Sequence, residues 1–271
     1  MDLAFADLTF QSADLRRLIR SGWIASWPES LESLPGTIVP DAHVEFVFQT
    51  GAPCATRAPA GTDTASPPAM IFAQRHGALR LVPTGANTIL AFRTLPAVAA
   101  AIVGRPLSDC WDRPIALSDL IGPEADLLLE TLGEAPAGAR RAIVETWLIG
   151  RLSGWGVENA RNFALQNRLL WRSRGESLSG LADDLGVTDR TLRRHFARHA
   201  GLSPKQLSLS GRVLRACAAL TDRRDLSIAE VALELGFSDQ AALANAFRHY
   251  VGMSPGRLRA EPIVFCERPP H

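Results

Sequence analysis

With 271 residues, 46% of them hydrophobic and 21% charged, the chain has an ordinary globular composition and enough length for two domains with real cores. Its net charge of +1 hides an asymmetry: residues 1–155 carry 12 Lys+Arg against 16 Asp+Glu, whereas residues 156–260 carry 16 against 10. An acidic front half and a basic back half predict that only the back half meets a polyanion. Cys54, Cys110, Cys217 and Cys266 have no paired spacing, which argues against a zinc site or a disulfide framework. Asp2 and Asp7 precede the first arginine, unlike a signal peptide, and no uncharged apolar run approaches the roughly 18 residues of a membrane span. The expectation is a cytoplasmic protein with no membrane partner.

Residues 1–155 read as a β region followed by helices, a sensor or dimerisation domain. Trp23 and Trp27 are core, or a lid over a cavity. Val44, Phe46 and Phe48 alternate with His43, Glu45 and Val47, the spacing of a strand with one mostly buried face. Residues 50–68, rich in Gly, Ala, Pro and Thr, read as loop. Residues 70–73, 79–82 and 88–92 are further short strands, and their roughly ten-residue spacing predicts a small sandwich or barrel. From Leu95 onward the composition turns helical: 97–103 stops at Gly104, and 124–132 and 140–152 follow.

Catalytic constellations are missing from this half. It has no Gly-rich phosphate loop, no nucleophile elbow and no Cys/His cluster at ligand spacing. His43 and Glu45 share a strand face and keep a metal pair conceivable, but a hydrogen-bonded strand face is the preferred reading. The expectation is no metal, no cofactor and no enzyme.

Residues 156–175 read as a basic amphipathic connecting helix. Phe163, Leu165, Leu169, Leu170 and Trp171 are set among Arg161, Arg168, Arg172 and Arg174; Gly175 ends it, and Glu176-Ser177 can start the next helix. Behind it, Gly186 is a helix stop, Thr188 an N-cap, and Leu192 and Phe196 share the buried face of a new helix. Arg190, Arg193 and Arg194 take a different face, which must be solvated or meet an anion. A helix, a glycine turn and an arginine-faced second helix form a helix-turn-helix signature.

The signature occurs twice. Leu181 to Asp189 returns 50 positions later as Val231 to Asp239; Leu192 and Phe196 return as Leu243 and Phe247, and Gly201-Leu202-Ser203-Pro204 as Gly252-Met253-Ser254-Pro255. Thr188 and Ser238 are the expected caps of the two reading helices, and Ser227-Ile228-Ala229-Glu230 is a capping box. Between the copies, Pro204 to about Thr221 fits one helix with Val213, Ala216, Cys217 and Leu220 on its apolar face. Its length of about 27 Å compares with the roughly 34 Å repeat of major-groove faces.

This back half resembles the AraC/XylS transcriptional regulators over about residues 165–262, with the two motifs at about 178–199 and 228–250. The residues carrying the resemblance are Leu181-Ala182 through Gly186, Thr191 through Phe196, Gly201 through Pro204, Arg212 with Ala216 and Leu220, Ile228 through Ala232, Leu235 through Gln240, and Phe247 through Pro255. In front, Val39-Pro40-Asp41, Gly104-Arg105-Pro106-Leu107 and Ile115 through Leu120 resemble a poorly characterised domain of such regulators. The implied fold is α+β: a sandwich- or barrel-like N-terminal region with helices, then an all-α domain whose two helix-turn-helix motifs are joined by a long helix. The implied function is sequence-specific binding of double-stranded DNA, as a transcription activator working with RNA polymerase, forming a homodimer and answering to a small-molecule effector.

By the same resemblance, Arg190, Thr191, Arg193 and Arg194 face the first groove, and Gln240, Ala241 and Asn245 the second, with Arg198, Arg248 and Lys205 as phosphate or surface charges. Arginine suits guanine. The second helix departs from the family pattern, with Ala241, Ala242, Ala244 and Asn245 where longer polar side chains are usual. The first copy is therefore expected to carry most base recognition. A DNA-repair methyl acceptor can share the back-half motif, but the front half lacks its zinc cysteines. The rival reading is a small-molecule-binding or enzymatic β-barrel with a vestigial DNA-binding domain.

Overall fold

The structure, a computed structural model, describes residues 3–34, 38–58, 61–73, 76–171 and 178–260. The expected stop at Gly175, the start at Glu176-Ser177, Arg172, Arg174 and Cys266 lie outside the described residues.

The chain opens with β1 (Ala4–Asp7), α1 (Ala13–Leu18) and β2 (Ile19–Trp27), followed by β3 (Val44–Gln49), β4 (Ala55–Arg57) and β5 (Asp63–Ala65). Then come β6 (Ala69–Ala73), β7 (Arg80–Val82), β8 (Asn87–Thr94), α2 (Pro96–Val103) and β9 (Ile115–Ala116). Short α3 (Ser118–Ile121) leads to α4 (Glu124–Glu134) and α5 (Ala137–Arg151). The back half is helical: α6 (Val157–Leu170), α7 (Leu178–Asp184), α8 (Asp189–His199), α9 (Pro204–Asp222), α10 (Ile228–Glu234), α11 (Gln240–Tyr250) and α12 (Pro255–Ala260).

The strands form two antiparallel sheets, one in the order β1-β2-β8-β3-β6-β9 and a small one in the order β5-β4-β7. They do not close into a barrel. The expected sandwich character survives on one face of the large sheet, where Trp23, Trp27, Val47, Met70 and Ile89 pack with Cys54 and Leu81 of the small-sheet side. The opposite face carries Phe46, Phe48, Leu90 and Phe92 against the helices, with the Trp147 ring of α5 edge-on to Phe46 and Phe48. Both faces of β3 are therefore buried, not one as its alternation suggested. Residues 50–68 are not all loop, because β4 and β5 fall within them. These three-residue strands are held by pairing, β4 lying between β5 and β7, which their own composition does not signal.

The polar residues on β3 and just before it form a buried network. Arg93 of β8 reaches Asp41 at 2.9 Å and Glu45 at 3.1 Å, Trp23 Nε1 donates to Glu45, and His43 Nδ1 lies 3.0 Å from the Asp41 carbonyl. Burial by itself would raise the Asp41 carboxyl; the adjacent Arg93 guanidinium and His43 overrule it and hold the group well below the usual carboxylate range. Glu45 is thus engaged by Arg93 and Trp23, and the shared strand face belongs to an ion-pair network.

In the connecting helix α6, polar Asn162 and Gln166 are buried beside Leu169 and Leu170, whereas Phe163 and Leu165 are only partly covered. Gln166 faces inward because its Oε1 accepts the Ala97 backbone N–H at 2.9 Å, capping α2, whose own N-cap residue Leu95 supplies no side-chain acceptor. On its other side α6 lies so close to α9 that a Cβ at Gly211 would strike the Leu170 carbonyl. No described helix is long and apolar enough to cross a membrane.

Candidate nucleic-acid interface

The first motif is built from α7, a turn and α8. Gly186 turns the chain in the left-handed region at φ 63°, and Thr188 caps α8 by accepting the Thr191 backbone N–H at 3.2 Å. Leu192 and Phe196 face the core with Leu181, Ala182, Ala200 and Leu202. The second motif repeats this with α10 and α11: Gly236 at φ 78°, and Val231, Ala232, Leu243, Phe247, Val251 and Met253 buried at the matching positions. Gly201 at φ 65° and Gly252 at φ 76° repeat the turn after each second helix. The repeat seen in the sequence is thus a repeat of backbone geometry and of core contacts.

One cap differs from expectation. Ser238 does not cap α11; Asp239 does, its Oδ1 accepting the Ala242 backbone N–H at 2.7 Å, while Ser238 Oγ turns to the Asp239 carboxylate. The carboxylate is the better acceptor and sits nearer the positive helix end. The expected capping box at Ser227 and Glu230 is formed, and α9 has a second one, Ser203 with Gln206, which the sequence reading did not single out.

Nineteen residues of α9 make a rod of about 28 Å between the two motifs. Val213, Ala216, Cys217 and Leu220 are buried on one face, as the apolar spacing requires. Arg212 joins the rod to the second motif: its guanidinium donates to the Gly236 carbonyl at 3.1 Å and lies 5.1 Å from the Phe237 ring centre.

On α8, Arg190, Arg193 and Arg194 are all exposed on the face opposite Leu192 and Phe196. Arg193 lies 3.6 Å from Asp189, one turn back, in a pair too exposed to hold it firmly. Thr191 is half-buried, and both its backbone N–H and its hydroxyl meet Thr188, so the cap engages it already. The rings of His195 and His199 lie 4.5 Å apart, tilted against each other. Burial, reinforced by the neighbouring His199, lowers the affinity of His195 for a proton, so the cationic face of α8 is the work of its arginines.

On α11, Gln240, Ala241, Asn245 and Arg248 are exposed. Arg248 folds back to donate to Asn245 Oδ1. The second helix thus presents an alanine, a glutamine and an asparagine already occupied by an arginine, against three exposed arginines on the first. Lys205 is exposed at the start of α9. Arg198 stands apart from the other arginines of α8, at the edge of a cavity facing the front half.

Sequence reasoning missed how the front half grips both motifs. The Gly77 and Ala78 backbone N–H groups donate to the Tyr250 and Val251 carbonyls at 2.9 and 3.0 Å, pinning the C-terminal end of α11. Val39 and Ala78 complete the second motif's core, and the His76 ring packs on those of His249 and Tyr250. At the first motif, Trp111 packs so tightly on Gly201 that a side chain there would meet its indole. No local pattern announces contacts between residues so far apart in the chain.

Residues 181–261 match the family described as a helix-turn-helix domain, and residues 11–116 match a domain of unknown function, DUF6597. Among curated proteins, the Msm operon regulatory protein of Streptococcus mutans is 36% identical over 89 residues, covering 32% of each chain. The HTH-type transcriptional regulator ExsA of Pseudomonas aeruginosa is 28% identical over 193 residues, covering 69% of this chain and 65% of that one. The HTH-type transcriptional activator RhaS of Escherichia fergusonii is 31% identical over 83 residues, 31% of this chain and 30% of its own. The chain therefore spans between about a third and two thirds of the length of these relatives. Among solved structures, ToxT of Vibrio cholerae O395 aligns at a TM-score of 0.45 and 8% identity over 88% of this chain and 95% of its own. Residues 181–261, which hold the second motif and most of the first, are thus similar to the helix-turn-helix domains of these transcriptional regulators.

Proposed function

We propose that the protein is a sequence-specific DNA-binding transcriptional regulator that places α8 and α11 in successive major grooves of one duplex. The observation that carries this reading is the duplicated motif with an arginine face on α8: three exposed guanidiniums on a helix whose other face is anchored in the core. Arg190, Arg193 and Arg194 read base edges on the first helix, each bidentate arginine–guanine pair being worth roughly 1–3 kcal/mol of discrimination. Gln240, Ala241 and Asn245 occupy the second groove, where shape and backbone contacts matter more than base reading. Arg248 and Lys205 serve the phosphates, and Thr191 acts mainly through the cap. Arg198, also read as a phosphate contact, is the member of this set placed to serve the cavity behind α8 as well.

The name of RhaS as an activator supports activation as the sign of regulation; RNA polymerase and a second copy of the chain as partners, and the cytoplasm as location, are implied by the family resemblance alone. The function rests on binding, with no enzymatic step. The test is a gel shift of the full chain on the DNA upstream of its own gene at two salt concentrations. Specific binding that falls steeply with salt supports the proposal, because neutralised phosphates release counterions. Equal affinity for unrelated DNA, or none, contradicts it.

A further inference from the structure

Between the front half and the first motif lies a cavity of about 380 Å³, walled by α2 and the turn after it, the end of α5, the start of α6 and the last turn of α8. That volume is in the range of small-molecule sites. Four features of its wall converge on one ligand chemistry. Arg105 and Arg198 enter it from the front half and from α8 respectively, and neither guanidinium has a hydrogen bond or ion pair among the described residues. The 14-residue helix α6 begins at this wall, and its N-cap, Gly156, offers no side chain to the first-turn N–H groups. Asn162, only 4% exposed, lines the cavity with a buried Oδ1 that meets no donor. A buried amide oxygen without a partner is costly unless something supplies the missing hydrogen.

Two other charges in the wall are already engaged. Arg151 donates to the Ile102 carbonyl at the end of α2 and to Glu124, so it neutralises that helix end instead of adding free charge. Glu158 is the acidic member and sits in the first turn of α6, where it partly occupies the helix dipole.

We propose that this cavity binds a small organic anion carrying a hydroxyl or amino group: a hydroxy acid, an amino acid or a sugar phosphate. Its carboxylate or phosphate lies between Arg105 and Arg198 near the uncapped first turn of α6, and its O–H or N–H donates to Asn162. Because Arg105 belongs to the front half and Arg198 to the reading helix, the ligand ties the two together. Its regulatory meaning rests on the DNA-binding reading, but its occupancy does not.

The experiment is calorimetric titration of the full chain, without DNA, with citrate, glutamate, 3-phosphoglycerate and glucose 6-phosphate. At least one is expected to bind one per chain at sub-millimolar concentration. Arg105→Gln and Arg198→Gln, both changes of exposed residues, are expected to weaken that binding by about tenfold or more each. Glu158→Gln is expected to tighten it by removing a like charge. Asn162→Leu is expected to raise the thermal midpoint of the free chain and to lower the affinity for the bound probe. Failure of all four probes to bind at millimolar concentration overturns the site, as does binding that survives both arginine changes. A positive titration with no gel shift leaves this site standing and overturns the DNA reading instead.

Discussion

Arg194 and Asn245 occupy equivalent positions in the two motifs, 51 residues apart, and they differ in what remains free to meet DNA. Arg194 extends into solvent, whereas Asn245 already accepts from Arg248. Arg194→Ala is therefore expected to cost roughly 1–3 kcal/mol of discrimination, and Asn245→Ala much less. Competition of each variant between the operator and single-base operator changes reads the difference; a larger loss of specificity from the Asn245 change contradicts the account. Arg93 is the other residue on which much depends. Arg93→Met leaves Asp41 and Glu45 buried without their cation, which should cost about 3–5 kcal/mol at neutral pH. In the parent protein Asp41 is held low, so its stabilising contribution is complete above the ordinary carboxylate range and is lost only as pH falls through its depressed value. In the variant, burial of Asp41 without the Arg93 guanidinium favours its neutral form, the folded state binds more protons, and stability should rise between pH 7 and 5. Urea unfolding at those two pH values checks the sign; a variant that weakens with acidification contradicts it.

At the scale of elements, two glycines make a matched pair. Gly211 in α9 abuts the Leu170 carbonyl of α6, whereas Gly133 in α4 has nothing near its missing side chain. Gly211→Ala should destabilise by about 1–3 kcal/mol as the helices are forced apart. Gly133→Ala should stabilise by about 0.5–1 kcal/mol through helix propensity alone. Thermal unfolding of both variants tests this, and equal shifts in one direction contradict the packing of α6 on α9. The legibility of each element follows from where its determinants lie. The helix-turn-helix motifs were readable because Gly186, Thr188, Leu192 and Phe196 act within one short stretch, and because duplication gave an internal check. Strand β3 was readable from its alternation. Strands β4 and β5 were not, since they exist through pairing with each other and, for β4, with β7. The cap of α11 was misplaced by one residue because Ser238 and Asp239 are both good caps and only geometry chooses. The inward turn of Asn162 and Gln166 was hidden too: an apolar-stripe reading of α6 credits Phe163 and Leu165, and the need for Gln166 arises on α2.

At the scale of the whole molecule, the acidic front half does more than precede the basic back half. It contributes Val39 and Ala78 to the second motif's core, pins the end of α11 by two backbone hydrogen bonds, and clasps Gly201 of the first motif with Trp111. The first motif shares one continuous core with the large sheet and the front-half helices. Both reading helices are thus held against a common body, and the rod α9 sets their separation. From this follows a one-sided footprint instead of a wrapped one. Hydroxyl-radical footprinting of the full chain on the DNA upstream of its gene tests this most directly. Two protected patches on one face of the duplex, centred about one helical turn apart, with the patch at the first motif lost in Arg194→Ala, are the predicted result. A single patch, protection of both faces, or an unchanged footprint in Arg194→Ala would contradict the account.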